Sequence, residues 1–132
     1  MNLIFLFLCF LISLSSSYAE EKVYTSEGQK FVFEKLIERS DIVWWFDICP
    51  EEQINFTERL GKIFVLDQRT KKVTEITWLP KVYTRGKGGF LDVKVNHEFN
   101  INSFIFFSYS EPVNGKATTA ISRGKLKSGK LV

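Results

Sequence analysis

Leu79–Phe99, LPKVYTRGKGGFLDVKVNHEF, is the stretch whose reading decides the fold. Gly86, Gly88 and Gly89 crowd one short loop, where the backbone is free to take positive φ and another group can come close. The loop runs directly into Phe90–Val95, whose alternation of apolar and polar residues is the period of a half-buried strand. Short strands lie on either side of it, so the loop separates two sets of strands.

Upstream of the loop, Trp44–Ile48, Gln53–Glu58, Lys62–Asp67 and Val73–Thr77 read as four strands. The turns between them are Cys49–Glu52, Arg59-Leu60-Gly61 and Gln68–Lys72. A spacing near ten residues with tight turns marks an antiparallel meander. Downstream, Leu91–Val95, Ser103–Tyr109 and Thr118–Arg123 read as three more strands. They are joined by a turn at Asn96–Asn102 and by a loop at Glu111–Lys116 that carries the strong turn pair Asn114-Gly115. Gly124–Lys130 leads towards a fourth strand, and the second set is expected to stop after three. Nearer the start, Val23–Thr25 is a short strand and Ser26-Glu27-Gly28 a turn. Lys30–Leu36 alternates with Phe31 and Phe33 on one face, and Glu38–Asp41 is a polar connection.

Phe46-Asp47-Ile48 recurs as Leu91-Asp92-Val93, some 45 residues later, near the ~40–45-residue length of a propeller blade. Thirteen Phe and three Pro agree with a β composition. The expectation is an all-β chain of antiparallel four-stranded meanders, fewer than two blades of a β-propeller, and the N-terminal part of a longer ring. The domain reading is 1–19 signal peptide, 20–40 N-terminal strand and connection, and 41–132 incomplete propeller. A small independent β-sandwich that binds a ligand is a competing reading; it has to hide its own sheet edges.

Met1–Ala19 reads as a segment removed on export. An apolar run from Leu3 to Leu14 is followed by serines and by Ser17-Tyr18-Ala19, which places cleavage between Ala19 and Glu20. The run is shorter than the ~20 residues of a membrane span, so no membrane attachment is expected after cleavage. The expected location is the periplasm of a bacterium, or secretion. Removing the segment takes no charged side chain, so the net charge stays +3. That mild value gives no concentrated basic face for nucleic acid. Cys49 is then the only cysteine, which leaves no internal disulfide and points to a thiol buried in a strand.

Little in the sequence carries chemistry by itself. His97, the only histidine, lies in a turn and reads as solvated surface. No nucleophile elbow and no zinc-spaced Cys/His cluster is present. Asp47, Glu58, Asp67 and Asp92 fall on different strands and read as strand-end partners, not as an acid/base pair. Arg85–Gly89 lacks the spacing of a phosphate loop and no helix follows it. Glu58-Arg59 reads as a structural ion pair with the next blade, and Lys125, Lys127 and Lys130 as a solvated face. Asn55-Phe56-Thr57 matches a glycosylation sequon but lies inside a strand. Trp44, Trp45 and Trp78 read as core or strand-rim aromatics.

Taken in order, the residues resemble a known family. The order runs Trp44-x-Phe46-Asp47-x-x-Pro50, then Thr57-Glu58-Arg59-x-Gly61-Lys62-Ile63. It continues with Leu79-Pro80-x-Val82-x-x-Arg85-Gly86-x-Gly88-Gly89-x-Leu91-Asp92-Val93, then Phe99, then Tyr109-Ser110. This set is similar to the N-terminal part of the glucose/sorbosone dehydrogenases, the soluble PQQ-dependent aldose sugar dehydrogenases. The resemblance covers about Asp41 to Val132.

The resemblance implies a six-bladed propeller, exported to the periplasm, that binds PQQ and calcium. It also implies an oxidoreductase that passes hydride from the anomeric carbon of an aldose to PQQ and on to an electron acceptor. It makes Arg85, Gly86, Lys87, Gly88 and Gly89 the cleft-loop candidates. The chain departs from the family pattern at three places. Lys87 stands where Gln is usual, Trp45 where Gly is usual, and Asn96-His97-Glu98-Phe99 where His-Pro-Asp-Phe is usual. The family's base histidine, cofactor cradle and calcium ligands lie in later blades. The expectation is therefore no catalytic residue, no metal site and no bound cofactor in this chain alone, and no activity from it alone. The alternative is a non-catalytic propeller-type binding or interaction module.

Overall fold

A computed structural model describes residues 22–50 and 52–132. The expected signal segment and its Ala19-Glu20 cleavage site lie outside the described residues. The first unit holds one antiparallel hairpin, β1 (Val23–Ser26) and β2 (Gln29–Val32). Glu27 and Gly28 close it, with φ of 48° and 76°, the left-handed pair that a tight hairpin turn needs. Phe31 and Phe33 share a face, as the alternation indicates; their ring centroids are 5.2 Å apart. The strand expected over Lys30–Leu36 is shorter than that and ends at Val32. Val32 pairs with Val23, the first residue of β1, so the ladder runs out there.

The second unit, Leu36–Val132, contains two four-stranded antiparallel sheets. The first is β3 (Val43–Cys49), β4 (Gln53–Glu58), β5 (Lys62–Asp67) and β6 (Val73–Glu75), paired in chain order. The second is β7 (Phe90–Val95), β8 (Phe104–Val113), β9 (Lys116–Lys127) and β10 (Lys130–Leu131), again in chain order. The all-β, blade-like meanders are as expected.

Two details of the second set differ from the expectation. It does not stop after three strands: the segments expected at Thr118–Arg123 and from Gly124 on merge into one long β9, and β10 supplies the fourth. Asn114-Gly115 lets β8 and β9 pair from the first rung, Val113 with Lys116, through Phe104 with Lys125. The turn at Asn96–Asn102 contains a one-turn helix, α1 (Phe99–Asn102). Asn96 Oδ1 starts it by accepting from the Glu98 N–H at 2.8 Å.

The two sheets pack face to face. Cys49, Ile63 and Ile76 of the first side meet Phe90, Val95, Ile105, Phe107 and Tyr109 of the second. Each such residue, fully buried, contributes roughly 1.5–3 kcal/mol. The other face of the first sheet carries Ile54, Phe56, Phe64 and Leu66, partly covered by Leu36, Ile37 and Val73. Arg39 completes that cover. Its guanidinium lies 4.4 Å from the Phe64 ring centroid and its Nε donates to Glu58 Oε1 at 2.5 Å. Glu58 is buried, so its ion-pair partner is Arg39 in the preceding segment, and not the next blade as the sequence suggested.

Candidate functional site

The glycine-rich loop is held in place from three sides. The Tyr83 N–H donates to the Ser110 carbonyl at 2.7 Å, and the Ser110 N–H donates to the Gly89 carbonyl at 2.9 Å. These two bonds tie the loop to β8. Within the loop, the Gly88 N–H donates to the Arg85 carbonyl at 3.0 Å and closes a tight turn. The third support is the β4–β5 turn of the first sheet. A Cβ on Gly89 would collide with the Arg59 carbonyl oxygen, and one on Gly88 with the Tyr83 carbonyl oxygen. Only glycine allows backbones this close.

That turn is itself braced. Asp41 Oδ2 accepts from the Leu60 N–H at 2.9 Å, and Asp41 Oδ1 accepts from the Ile42 N–H at 2.8 Å. The Leu60 bond, foremost, holds the Asp41 carboxyl below its usual range. Arg59 also reaches across, its Nη1 donating to the Thr84 carbonyl at 3.4 Å. The loop therefore buries Gly88 and Gly89 and exposes Arg85, Gly86 and Lys87. Two cations stand on a fixed backbone. Sequence reasoning found the loop but missed its supports, Asp41, Arg59 and Tyr83. Their signal was present in the adjacent Arg59-Leu60-Gly61 turn.

A second feature is an open cleft of about 610 Å³ between β3 and β7, lined among others by Asp47, Cys49, Lys94, Asn96 and His97. Asp47 clamps the sheets together. Its Oδ1 accepts from Lys94 Nζ at 2.9 Å and its Oδ2 from the Val95 N–H at 2.7 Å. The hydrogen bond to Asp47, and then its charge, raise the Lys94 ammonium pKa. Burial pushes the Cys49 thiol up to about 11, so it is a neutral packing group at pH 7 and not a nucleophile.

His97 is exposed, with Nε2 3.8 Å from Glu98 Oε1. Asp92 does not repeat the role of Asp47. It is exposed and pairs across the ladder with Ser108, which pairs in turn with Ile121 on the face turned away from the first sheet. Among the described residues no group of three His, Cys, Asp or Glu side chains could hold a metal ion.

The remaining candidates are placed as follows. Trp44, Trp45 and Trp78 are all exposed, which makes them rim and not core residues. Lys130 is not merely solvated, since its Nζ lies 4.8 Å from the Trp78 ring centroid. Asn55 is fully buried, and neither of its amide atoms has a hydrogen-bond partner. Burial closes its sequon to glycosylation.

The Glucose / Sorbosone dehydrogenase family matches residues 40–132. No curated protein shows significant similarity. Among solved structures, a glucose dehydrogenase is 32% identical over 67% of this chain and 29% of its own, with a TM-score of 0.63. The soluble aldose sugar dehydrogenase (Asd) from Escherichia coli, in its apo form, is 31% identical over 69% of this chain and 27% of its own, also at 0.63. The PQQ-bound form of aldose sugar dehydrogenase (Adh) from Streptomyces coelicolor shares the fold, with a TM-score of 0.67 over 76% of this chain and 29% of its own at 18% identity. The chain thus spans less than a third of the solved structures it matches.

Proposed function

This chain belongs to the glucose/sorbosone dehydrogenase family, and from that premise we propose that it is the N-terminal part of a periplasmic PQQ-dependent aldose sugar dehydrogenase. The observation that carries the reading is the braced loop. Its order in sequence matches the family, and its geometry fixes Arg85 and Lys87 at an exposed tip.

Arg85 fits the group. PQQ is an anionic quinone carrying carboxylates, and Arg85 offers a planar donor fork suited to a carboxylate. Lys87 stands where the family has Gln, and its ammonium has donors but lacks the acceptor that an amide would supply. When bound, the cofactor supplies a hydride acceptor for the anomeric carbon of the sugar. The work of this chain is to set the cleft loop in place, the rest of the cradle coming from later blades. Gly88 and Gly89 seat the loop against Tyr83 and Arg59, so the backbone that carries Arg85 stays at a fixed position. No residue of this chain is assigned to calcium, whose ligands the resemblance places in later blades. His97 is exposed and outside the family motif for the base, so proton removal from the sugar belongs to residues beyond this segment. Among the described residues no helix is long and apolar enough to cross a membrane, and export through the expected signal segment fits the periplasmic reading.

The test is a chimera in which residues 40–132 replace the matching segment of the Escherichia coli aldose sugar dehydrogenase. The expected result is PQQ-dependent dye reduction with aldoses, increased by Lys87→Gln. A folded chimera that binds PQQ and oxidises no aldose overturns the reading. A folded chimera that binds no PQQ favours the non-catalytic binding module, for which Lys87 is the specific observation. The chain alone, given PQQ, calcium and aldoses, is expected to reduce no dye.

A further inference from the structure

The β4–β5 turn, Arg59-Leu60-Gly61, meets the glycine-rich loop at three points. A Cβ on Gly89 would collide with the Arg59 carbonyl, and a Cβ on Gly61 would stand 3.3 Å from Val82 Cβ. The Arg59 guanidinium donates to the Thr84 carbonyl at 3.4 Å. Val82 and Thr84 precede Arg85 and Gly89 follows it, so the place of Arg85 depends on the place of the turn. One carboxylate holds the tip of that turn. Asp41 Oδ2 accepts from the Leu60 N–H, while its Oδ1 accepts from the Ile42 N–H. The Arg59 N–H donates to the Ile42 carbonyl at 3.0 Å, so Asp41, Ile42, Arg59 and Leu60 form a closed ring of hydrogen bonds. Bonds to an ionised acceptor are about twice as strong as neutral ones. The neighbouring carboxylate cannot stand in, because Glu58 is buried and paired with Arg39.

We propose that Asp41 is a positioning residue for the cleft loop: by bridging Ile42 and Leu60 it fixes the turn on which Thr84 and Gly89 rest, and so sets where Arg85 stands. The functional part of this inference rests on the reading of the loop as part of the PQQ cleft. Asp41 acts through Arg59 and not on the cofactor itself. Asp67 is a matched control. It caps the turn at the opposite end of β5 in the same way, its Oδ1 accepting from the Thr70 N–H at 2.8 Å.

The experiment is amide hydrogen exchange, read by mass spectrometry, on the purified protein at neutral pH. The reporters are Tyr83 and Gly88, whose N–H groups donate to the Ser110 and Arg85 carbonyls. Asp41→Ala is expected to speed exchange over residues 82–90 roughly tenfold and to leave β8 and β9 as in the parent. Asp67→Ala is expected to leave the loop unchanged. Asp41→Asn keeps the shape and one acceptor oxygen, so its loop is expected to exchange at a rate between those of the parent and Asp41→Ala. A loop no faster in Asp41→Ala, an equal gain in β8 and β9, an equal response to Asp67→Ala, or no rescue by asparagine overturns the proposal. If Asp41→Ala fails to fold, Asp41→Asn against the parent decides, a faster loop alone supporting the proposal and an unchanged one overturning it. None of these readouts involves PQQ, so they stand whatever becomes of the functional reading. In the chimera, Asp41→Ala is expected to weaken PQQ binding about tenfold, and undiminished binding overturns the link from Asp41 to the cofactor. A chimera with the unaltered segment that binds no PQQ counts against the functional reading, and loop exchange still decides the role of Asp41.

Discussion

Two buried side chains in the first sheet show how one residue type decides a local balance. Asn55 has no exposure and no partner for either amide atom. An unpaired buried polar group costs about 1–3 kcal/mol. Asn55→Val removes that cost, and it is expected to raise the thermal midpoint by roughly 4–8 °C for each kcal/mol recovered; a midpoint that falls shows that the amide is paired in solution. Cys49 argues through its proton. Its folded pKa, about 11, lies above the ordinary thiol value of 9.0 because burial opposes the thiolate. A raised pKa means that the folded state holds the proton more tightly. The stability this provides is complete below pH 9 and is lost as pH rises towards 11, roughly 1–3 kcal/mol in all. Denaturant melts of the parent and of Cys49→Val across that window check it. The parent is expected to weaken more steeply than the variant, and parallel slopes refute the assignment.

At the scale of elements, the strands were legible and their lengths were not. Gln53–Glu58 and Lys62–Asp67 were readable to the residue because tight turns limit them at both ends. Lys30–Leu36 was over-read because alternation says nothing about whether a partner strand is long enough to pair it. β9 was under-read for the opposite reason: Gly124 looks like a break, yet Leu131 packs where its side chain would have been, so the strand runs on. The glycine-rich loop was legible as a loop and as a family motif. Its bracing was not, because contacts between the two sheets leave no local pattern. That bracing makes a prediction. Gly89→Ala sets a methyl group against the Arg59 carbonyl and is expected to cost about 1–3 kcal/mol. Gly86, at φ 59° with open space around it, is expected to accept asparagine at a cost of a few tenths of a kcal/mol, since asparagine tolerates the left-handed region. Thermal melts of the two variants separate close approach from backbone conformation. Equal losses would show that the loop does not rest on the β4–β5 turn.

On the scale of the whole molecule, the question is whether the two sheets fold as one. Each alone is a four-stranded meander with one face in need of cover, and the shared core lies between them. Phe90 is the side chain on which this turns. It is fully buried, it belongs to the strand that follows the loop, and its ring lies 5.7 Å from Phe107 and 5.8 Å from Tyr109. Ile63 and Ile76 of the first sheet complete the same cluster. A cavity there removes support from both sheets at once, so Phe90→Ala is expected to cost about 3–5 kcal/mol. The loss has a spatial signature. If the sheets are one cooperative unit, amide exchange in β4 and in β8 accelerates by the same factor. If the first sheet stands on its second cluster, Phe56 against Phe64 under Arg39, then β8 loses protection while β4 keeps it. The shared cluster draws side chains from both sheets and the Asp47 clamp ties β3 to β7, so equal acceleration is the expected result.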